Sequence, residues 1–290
     1  MQRYGTDRGR NDTHATVSVL TIAMFGLGEA GSLLGADLAA AGAAVDGYDP
    51  ADVATPPGVR RHAQPDGAVA SADVVLSVTA AADAEVALSQ AIGAIPAEAV
   101  YADLSTAPAS LQARLGGLAA GHGLAFADVA LMAPVPGRGI GTPALASGPG
   151  AGRLAAMLVP LGMPVTDIGG EPGLASSRKL LRSVMMKGLA AVVIEAMQGA
   201  EQAGCEHWLW GNLVGEITAA DGDFLARLVR GTAPHALRRM HEMEASAELL
   251  AELGVDPVMT RSTVESLRRA VDTPLPNLPD PPHPVRQAGS

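Results

Sequence analysis

Three glycines and one acid carry the first chemical signal in this sequence. Val19 to Phe25 is an apolar run of strand type that ends in Gly26-Leu27-Gly28-Glu29-Ala30-Gly31, a Gly-x-Gly-x-x-Gly turn. An Ala/Leu-rich helical pattern follows from Ser32 to about Ala41. Strand, glycine turn and helix is the setting in which such a turn binds a dinucleotide. Gly26 makes the turn, Gly28 lets the backbone approach a pyrophosphate, and Gly31 lets helix and strand pack closely. Leu27, Glu29 and Ala30 belong to the same phosphate-binding turn, where the helix N-terminus offers free N–H groups and a positive dipole end. A second short strand, Ala43 to Tyr48, leads into Asp49. A carboxylate roughly 20 residues past the glycines accepts hydrogen bonds from the adenosine ribose hydroxyls. A bare turn is the alternative reading in a chain with 34 glycines, and Asp49 at this distance favours the nucleotide site.

Composition narrows the setting. The chain has 290 residues, of which 48% are hydrophobic and 17% charged. That is enough for one large or two ordinary globular domains. Aromatic residues make up only 3%, so Ala, Leu, Val and Met must fill the core. A formal charge of −10 argues against a general nucleic-acid binder, which carries a basic patch. The single cysteine, Cys205, excludes an intramolecular disulfide and suits a reducing cytoplasm. No apolar run has the roughly 20 residues of a membrane span. No Cys/His cluster has metal-ligand spacing, so no metal is expected.

The elements that must position these residues follow a repeating order. Ser71–Thr79 reads as a strand, 84–95 as a helix, Ala99–Leu104 as a strand, 108–120 as a helix and Leu124–Val129 as a strand. Such β-α repeats predict a doubly wound parallel sheet of Rossmann type over residues 18–172. At the end of the Ser71–Thr79 strand, Thr79 and Ala80 are assigned to the cofactor site. From Leu174 to about Ala203 runs one long helical pattern, and further helices are expected over 206–219, 222–230, 234–253 and 257–271. The fold class is therefore α/β, with a nucleotide domain, a long interdomain helix and an all-α domain over 173–271. Residues 1–17 read as a polar disordered leader and 272–290 as a disordered Pro-rich tail. Ligands in open α/β sheets bind outside the carboxyl ends of the strands, so the cleft is expected where those ends meet the helical domain.

At this point the chain resembles the β-hydroxyacid dehydrogenase family, which contains 3-hydroxyisobutyrate and 6-phosphogluconate dehydrogenases. It is most similar to the uncharacterised phosphogluconate-dehydrogenase-like branch. Four motifs carry the resemblance. Gly26-Leu27-Gly28-Glu29-Ala30-Gly31 is close to the family's Gly-Leu-Gly-x-Met-Gly. Asp103-Leu104-Ser105-Thr106-Ala107-Pro108 is similar to Asp-x-Ser-Thr-x-x-Pro, with the proline one residue early. This implies that Ser105 and Thr106 lie beside the nicotinamide, although a Ser/Thr pair at a strand end equally caps a helix. Asp128-Val129-Ala130-Leu131-Met132-Ala133-Pro134 stands where the family has Asp-Ala-Pro-Val-Ser-Gly-Gly, whose Ser-Gly-Gly binds a substrate carboxylate. Met132, Ala133 and Pro134 replace those donors, and Pro134 has no N–H. Arg138 to Thr142 is an alternative source of polar contacts.

The fourth motif runs from Gly173 to Ser183 and is similar to the family's Gly-x5-Lys-x3-Asn. The resemblance implies that Lys179 is the catalytic lysine, with Ser183 in place of asparagine one helical turn later. His241-Glu242 aligns with a family Lys-Asp pair, so His241 is a candidate substrate contact, and a surface histidine on an amphipathic helix is the alternative. A lysine with a lowered pKa can exchange the hydroxyl proton while the cofactor carries the hydride. The expected activity is hydride transfer between a nicotinamide and a small alcohol or carbonyl compound. Imine reductases resemble the same family but commonly lack the lysine, and a non-catalytic nucleotide sensor is a third reading. Asp49 favours NAD, with NADP possible. The resemblance also implies a homodimer formed through the helical domains, with a small-molecule substrate and no nucleic-acid or membrane partner.

Overall fold

The computed structural model describes residues 19–279. The expected leader over 1–17 and residues 280–290 of the expected tail lie outside the described residues. The chain divides into two compact units, one reaching Arg182 and the other starting at Ser183.

The first unit is built on an eight-stranded sheet. In chain order its elements are β1 (Thr21–Phe25), α1 (Glu29–Ala40), β2 (Ala44–Tyr48), β3 (Val59–Arg61), α2 (Pro65–Val69), β4 (Val74–Ser77), α3 (Ala84–Ala91), β5 (Val100–Asp103), α4 (Ala109–Gly121), β6 (Ala125–Leu131), β7 (Ala144–Ser147), α5 (Ala151–Leu158) and β8 (Val165–Asp167). The spatial order is β3-β2-β1-β4-β5-β6-β7-β8. The winding reverses between β1 and β4, which makes that junction the topological switch point. Strands β1 to β6 are parallel, whereas β7 pairs antiparallel with β6 and parallel with β8.

Burial on both faces explains why the central strands read as continuous apolar runs. Alternate residues of β1 serve opposite cores. Ile22 and Met24 pack with Leu34, Leu38 and Leu76, while Ala23 and Phe25 pack with Leu88, Leu115 and Phe126. Helix α1 buries Gly31, Leu34, Gly35 and Leu38, a stripe at helical spacing.

Strands β3, β7 and β8 are absent from the pattern read in the sequence. Val-Arg-Arg, Ala-Leu-Ala-Ser and Val-Thr-Asp are too short and too mixed to show a period, and they become strands by pairing at the sheet's margins. The sheet is mostly parallel, with β6–β7 its one antiparallel pair among the described residues. Helix α1 also starts three residues earlier than the expected Ser32, so Glu29 to Gly31 are already helical.

Helix α6 (Leu174–Gln202) spans the division between the units, and its beginning belongs with the sheet. The second unit holds the rest of α6 with α7 (Glu206–Thr218), α8 (Gly222–Arg230), α9 (Ala236–Glu252) and α10 (Val258–Asp272). Glu195 of α6 accepts hydrogen bonds from Met259 N (2.7 Å), Thr260 N (2.8 Å) and Thr260 Oγ1 (2.6 Å), which satisfies the first turn of α10. Burial alone would raise this carboxyl, but the Thr260 and Met259 bonds outweigh it and hold the group below its ordinary value. Among the described residues no helix is long and apolar enough to cross a membrane.

Candidate functional site

The glycine turn is fixed from two sides. Gly26 N donates to Tyr48 O (3.0 Å), and Leu27 N donates to Asp49 Oδ2 (2.7 Å). The other Asp49 oxygen accepts from Ala51 N at 2.8 Å. The acid that follows β2 therefore holds the turn after β1 as well as closing its own loop. A carboxylate has about four lone-pair sites, so acceptor capacity remains for ribose hydroxyls.

A groove of about 330 Å³ opens at the switch point. Gly26, Gly28, Asp49, Thr79 and Ala80, five residues selected from the sequence, line it together. Tyr48, Pro50, Val86 and Gln90 also line it and carried no signal of their own in the sequence. The groove walls come from the ends of β1, β2 and β4 and from α3, so they can take a flat aromatic group with its ribose at Asp49.

Two arginines of β3 lie beside β2. Arg60 is bonded to the buried Asp46 through Nε (2.5 Å) and Nη2 (2.9 Å), and His62 Nε2 reaches the same carboxylate at 2.7 Å. Burial works against ionisation of Asp46, but these partners outweigh it and hold the carboxyl below its usual range. Arg61 donates to the carbonyl oxygens of Asp49, Ala51 and Val53, which shapes the loop after β2.

The polar site continues along the carboxyl edge of the sheet. Lys179 Nζ donates to Thr106 Oγ1 at 2.8 Å. Lys179 is half-buried and Thr106 is exposed. Ser105 behaves differently from its neighbour. It is buried, and its hydroxyl and amide both donate to Asp103 Oδ1. Asp103, two residues earlier, draws the Ser105 hydroxyl inward and leaves Thr106 exposed. Gln112 Nε2 donates to the same Asp103 oxygen at 2.7 Å. Burial pushes the Asp103 carboxyl above the usual carboxylate range, the Ser105 and Gln112 bonds offset part of that, and the nearby Asp128 charge adds to it.

Met132 and Ala133 are half-buried and Pro134 is exposed. Met132 N donates to Pro143 O at 2.8 Å, so this amide is committed to the β6–β7 connection. The segment after it turns back onto α1, where Ile140 N donates to Asp37 Oδ2 at 2.8 Å. Within Arg138 to Thr142 the Ile140 amide is therefore anchored to α1. Ser183 lies on α6 one turn after Lys179 and is half-buried; His241 is an exposed residue of α9 in the second unit. A cavity of about 420 Å³ inside the second unit is lined mainly by apolar side chains of α6, α7, α9 and α10.

Comparison with known proteins agrees with this geometry. Residues 21–150 match the NAD binding domain of 6-phosphogluconate dehydrogenase, and residues 200–270 match a domain of unknown function (DUF1932). No curated protein matches the chain. A solved conserved hypothetical protein from Sinorhizobium meliloti 1021 is 32% identical, with 87% of this chain and 88% of that one covered and a TM-score of 0.57. The conserved protein MTH1747, described as structurally similar to 3-hydroxyacid dehydrogenases, is 26% identical over 87% of this chain and 96% of its own, with a TM-score of 0.55. An imine reductase from Myxococcus stipitatus in complex with NADP+ shares the fold, with 18% identity over 88% and 94% of the two chains and a TM-score of 0.73. With its glycine turn, its switch-point groove and these relatives, the chain belongs to the β-hydroxyacid dehydrogenase family and carries a 6-phosphogluconate-dehydrogenase-type NAD(P)-binding domain.

Proposed function

We propose that the protein transfers a hydride between a nicotinamide cofactor and a small alcohol or carbonyl compound, with Lys179 as general acid and base. The observation that carries this reading is the Lys179 Nζ–Thr106 Oγ1 hydrogen bond at the carboxyl edge of β5. It sets an amine beside the same sheet edge that forms the nucleotide groove. Composition supports the choice. Of the 20 basic residues only Lys179 and Lys187 are lysines and the rest are arginines. An arginine stays protonated in proteins, whereas a lysine can give up its proton and take it back. In alcohol oxidation the Lys179 amine would accept the hydroxyl proton, and a bound nicotinamide would supply the hydride chemistry. In carbonyl reduction the ammonium returns that proton to oxygen.

A specific observation keeps imine reduction as a second reading. The Met132-Ala133-Pro134 segment offers little to an anionic substrate group, since Met132 N is already bonded and Pro134 has no N–H. An uncharged C=N compound needs no such donors. NAD is the preferred cofactor in either case. Asp49 would repel a 2′-phosphate, while Arg60 is engaged by Asp46 and Arg61 by three carbonyl groups. Nicotinamide fluorescence titration and a reduction assay with cyclohexanone, glyoxylate and 2-methyl-1-pyrroline test these choices together. NADH is expected to bind about tenfold tighter than NADPH, a difference near 1.4 kcal/mol, and the carbonyl compounds to turn over. Turnover of the imine alone selects the second reading, tighter NADPH binding overturns the cofactor choice, and binding without any turnover favours a nucleotide sensor.

The second unit is proposed to form a homodimer. Val184 (73% exposed), Ile194 (58%), Trp208 (69%) and Trp210 (54%) lie on α6 and α7 with their side chains in solvent. Large apolar patches of this kind mark association surfaces. Light scattering of the purified chain is expected to give twice the monomer mass, and Trp208→Glu to shift it towards the monomer. A monomer at micromolar concentration in the unaltered protein would sink the proposal.

A further inference from the structure

Neither Asp103 nor Asp128 reacts in the proposed chemistry, yet both are fully buried at the end of the sheet that carries it. They are register partners on neighbouring strands, Asp103 on β5 and Asp128 on β6, and Asp128 is in turn paired with Ser147 of β7. Their hydrogen bonds lead to opposite ends of the Lys179–Thr106 contact.

Asp128 serves the helix. Its Oδ2 accepts from Gly173 N (2.9 Å), Ser176 N (3.0 Å) and Ser147 Oγ (3.1 Å), and its Oδ1 accepts from Ser176 Oγ (2.5 Å). Ser147 Oγ accepts in turn from Ala175 N at 3.0 Å. The N–H groups of residues 173, 175 and 176, which a helix start leaves without intrahelical partners, are thereby satisfied. A carboxylate at this end also suits the positive end of the α6 dipole. Lys179 follows Ser176 by three residues and so sits one turn along the same face.

Asp103 serves the turn. All three of its bonds, from Ser105 N, Ser105 Oγ and Gln112 Nε2, fall on Oδ1. They fix the backbone immediately before Thr106 against α4. Its Oδ2 has no hydrogen-bond partner among the described residues.

We infer that Asp128 and Asp103 are a pair of positioning residues, Asp128 locating α6 and hence Lys179, and Asp103 locating the turn that carries Thr106. The inference rests on Lys179 being the proton-transfer group, and it assigns the placement of that group to a sheet-borne clamp 51 and 76 residues upstream. The two aspartates differ in a testable way. Asp128 uses both oxygens as acceptors, so an amide there loses the charge on four buried bonds and forces the Ser176 hydroxyl to turn from donor to acceptor. Asp103 uses one oxygen, so an amide can keep every bond.

The test needs no known substrate. The chain has two lysines, both on α6, so reductive methylation with ¹³C-formaldehyde yields two side-chain lysine resonances, assigned with Lys179→Arg and Lys187→Arg. Asp128→Asn is expected to move the Lys179 resonance towards that of an exposed lysine. It should also lower Tm by about 5–10 °C, since a buried charged hydrogen bond is lost. NADH affinity should stay within about twofold, because the groove lies elsewhere on the sheet edge. Asp103→Asn should leave the Lys179 resonance and Tm near the original values, whereas Asp103→Leu should displace the resonance. Where Asp128→Asn does not fold, Ser147→Ala and Ser176→Ala each remove one arm of the clamp and should move the resonance in the same direction by less. An unchanged Lys179 resonance in folded Asp128→Asn, or in both serine variants, overturns the inference, as does an equal effect of the two Asp→Asn changes. This readout reports the position of Lys179 whether or not that lysine proves essential for turnover, so failure of the clamp and failure of the dehydrogenase reading are told apart.

Discussion

Lys179→Arg is expected to be as inactive as Lys179→Met, with turnover reduced at least about a hundredfold and NADH affinity unchanged. The arginine variant makes the experiment decisive. It keeps the positive charge and can donate to Thr106 Oγ1, so any role limited to electrostatics or to holding the turn survives the change. It cannot lose a proton near neutral pH. If Lys179 only stabilises negative charge on a substrate oxygen, the arginine variant retains much of the rate and the methionine variant loses it. If it transfers a proton, both fail alike. Thr106→Val tests the partner separately. Removing the hydroxyl frees the amine from a fixed direction without removing it, and a loss of about tenfold in turnover is expected with the lysine still able to titrate. The measurement is steady-state NADH oxidation with the best compound from the carbonyl panel, beside fluorescence titration of NADH to show that the groove is intact. Lys179→Met turning over at the original rate would remove the lysine from the mechanism.

What could be read in the sequence, and what could not, follows the range of the interactions. The glycine turn and Asp49 are joined by a bond from Leu27 N to Asp49 Oδ2, and both were legible because fixed local spacing expresses them. Helices α7 to α10 were legible for the same reason, each having its own apolar stripe and termini. The pairing of Lys179 with Thr106 was not, since 73 residues separate them and no local period links a strand end to a distant helix. Asp128 stood inside a recognisable motif, but its partners at Gly173 and Ser176 lie 45 and 48 residues on. Nothing in its neighbours distinguishes it from an ordinary strand aspartate. Ser105 and Thr106 look symmetrical in sequence as a Ser/Thr pair at a strand end, while the buried Asp103 takes one hydroxyl and leaves the other exposed. The Met132-Ala133-Pro134 segment was informative through the donors it lacks, a property the sequence states directly for proline, and the structure adds that the Met132 amide is already in use.

Substitutions in the glycine turn should divide cleanly into those that damage the fold and those that damage only binding. Gly31→Ala is expected to belong to the first kind. A Cβ at Gly31 would lie 1.9 Å from the carbonyl oxygen of Gly26, which is backbone and cannot swing aside. Gly26 in turn has φ +85 and would set a Cβ 2.4 Å from Val78 O, so it cannot yield without disturbing β4. Relief requires moving α1 off the sheet, and with it Leu34 and Leu38, which are both fully buried. A cost of about 4 kcal/mol or more is expected, a large share of the 5–15 kcal/mol that a typical domain has in total, with Tm lower by roughly 10 °C. Gly28→Ala belongs to the second kind. Its φ of −67 is open to any residue, and nothing lies within 4 Å of the added Cβ. Tm should therefore be unchanged. The methyl would occupy the approach to the pyrophosphate, so NADH affinity should fall about tenfold, near 1.4 kcal/mol. Thermal melts and NADH titrations of the two variants separate the effects. Unaltered NADH binding in a stable Gly28→Ala protein would mean that the phosphates do not cross the turn at this residue. The empty space over Gly28 matters for that reason: the fold does not require a glycine there, so a loss of affinity at unchanged Tm reports the ligand alone.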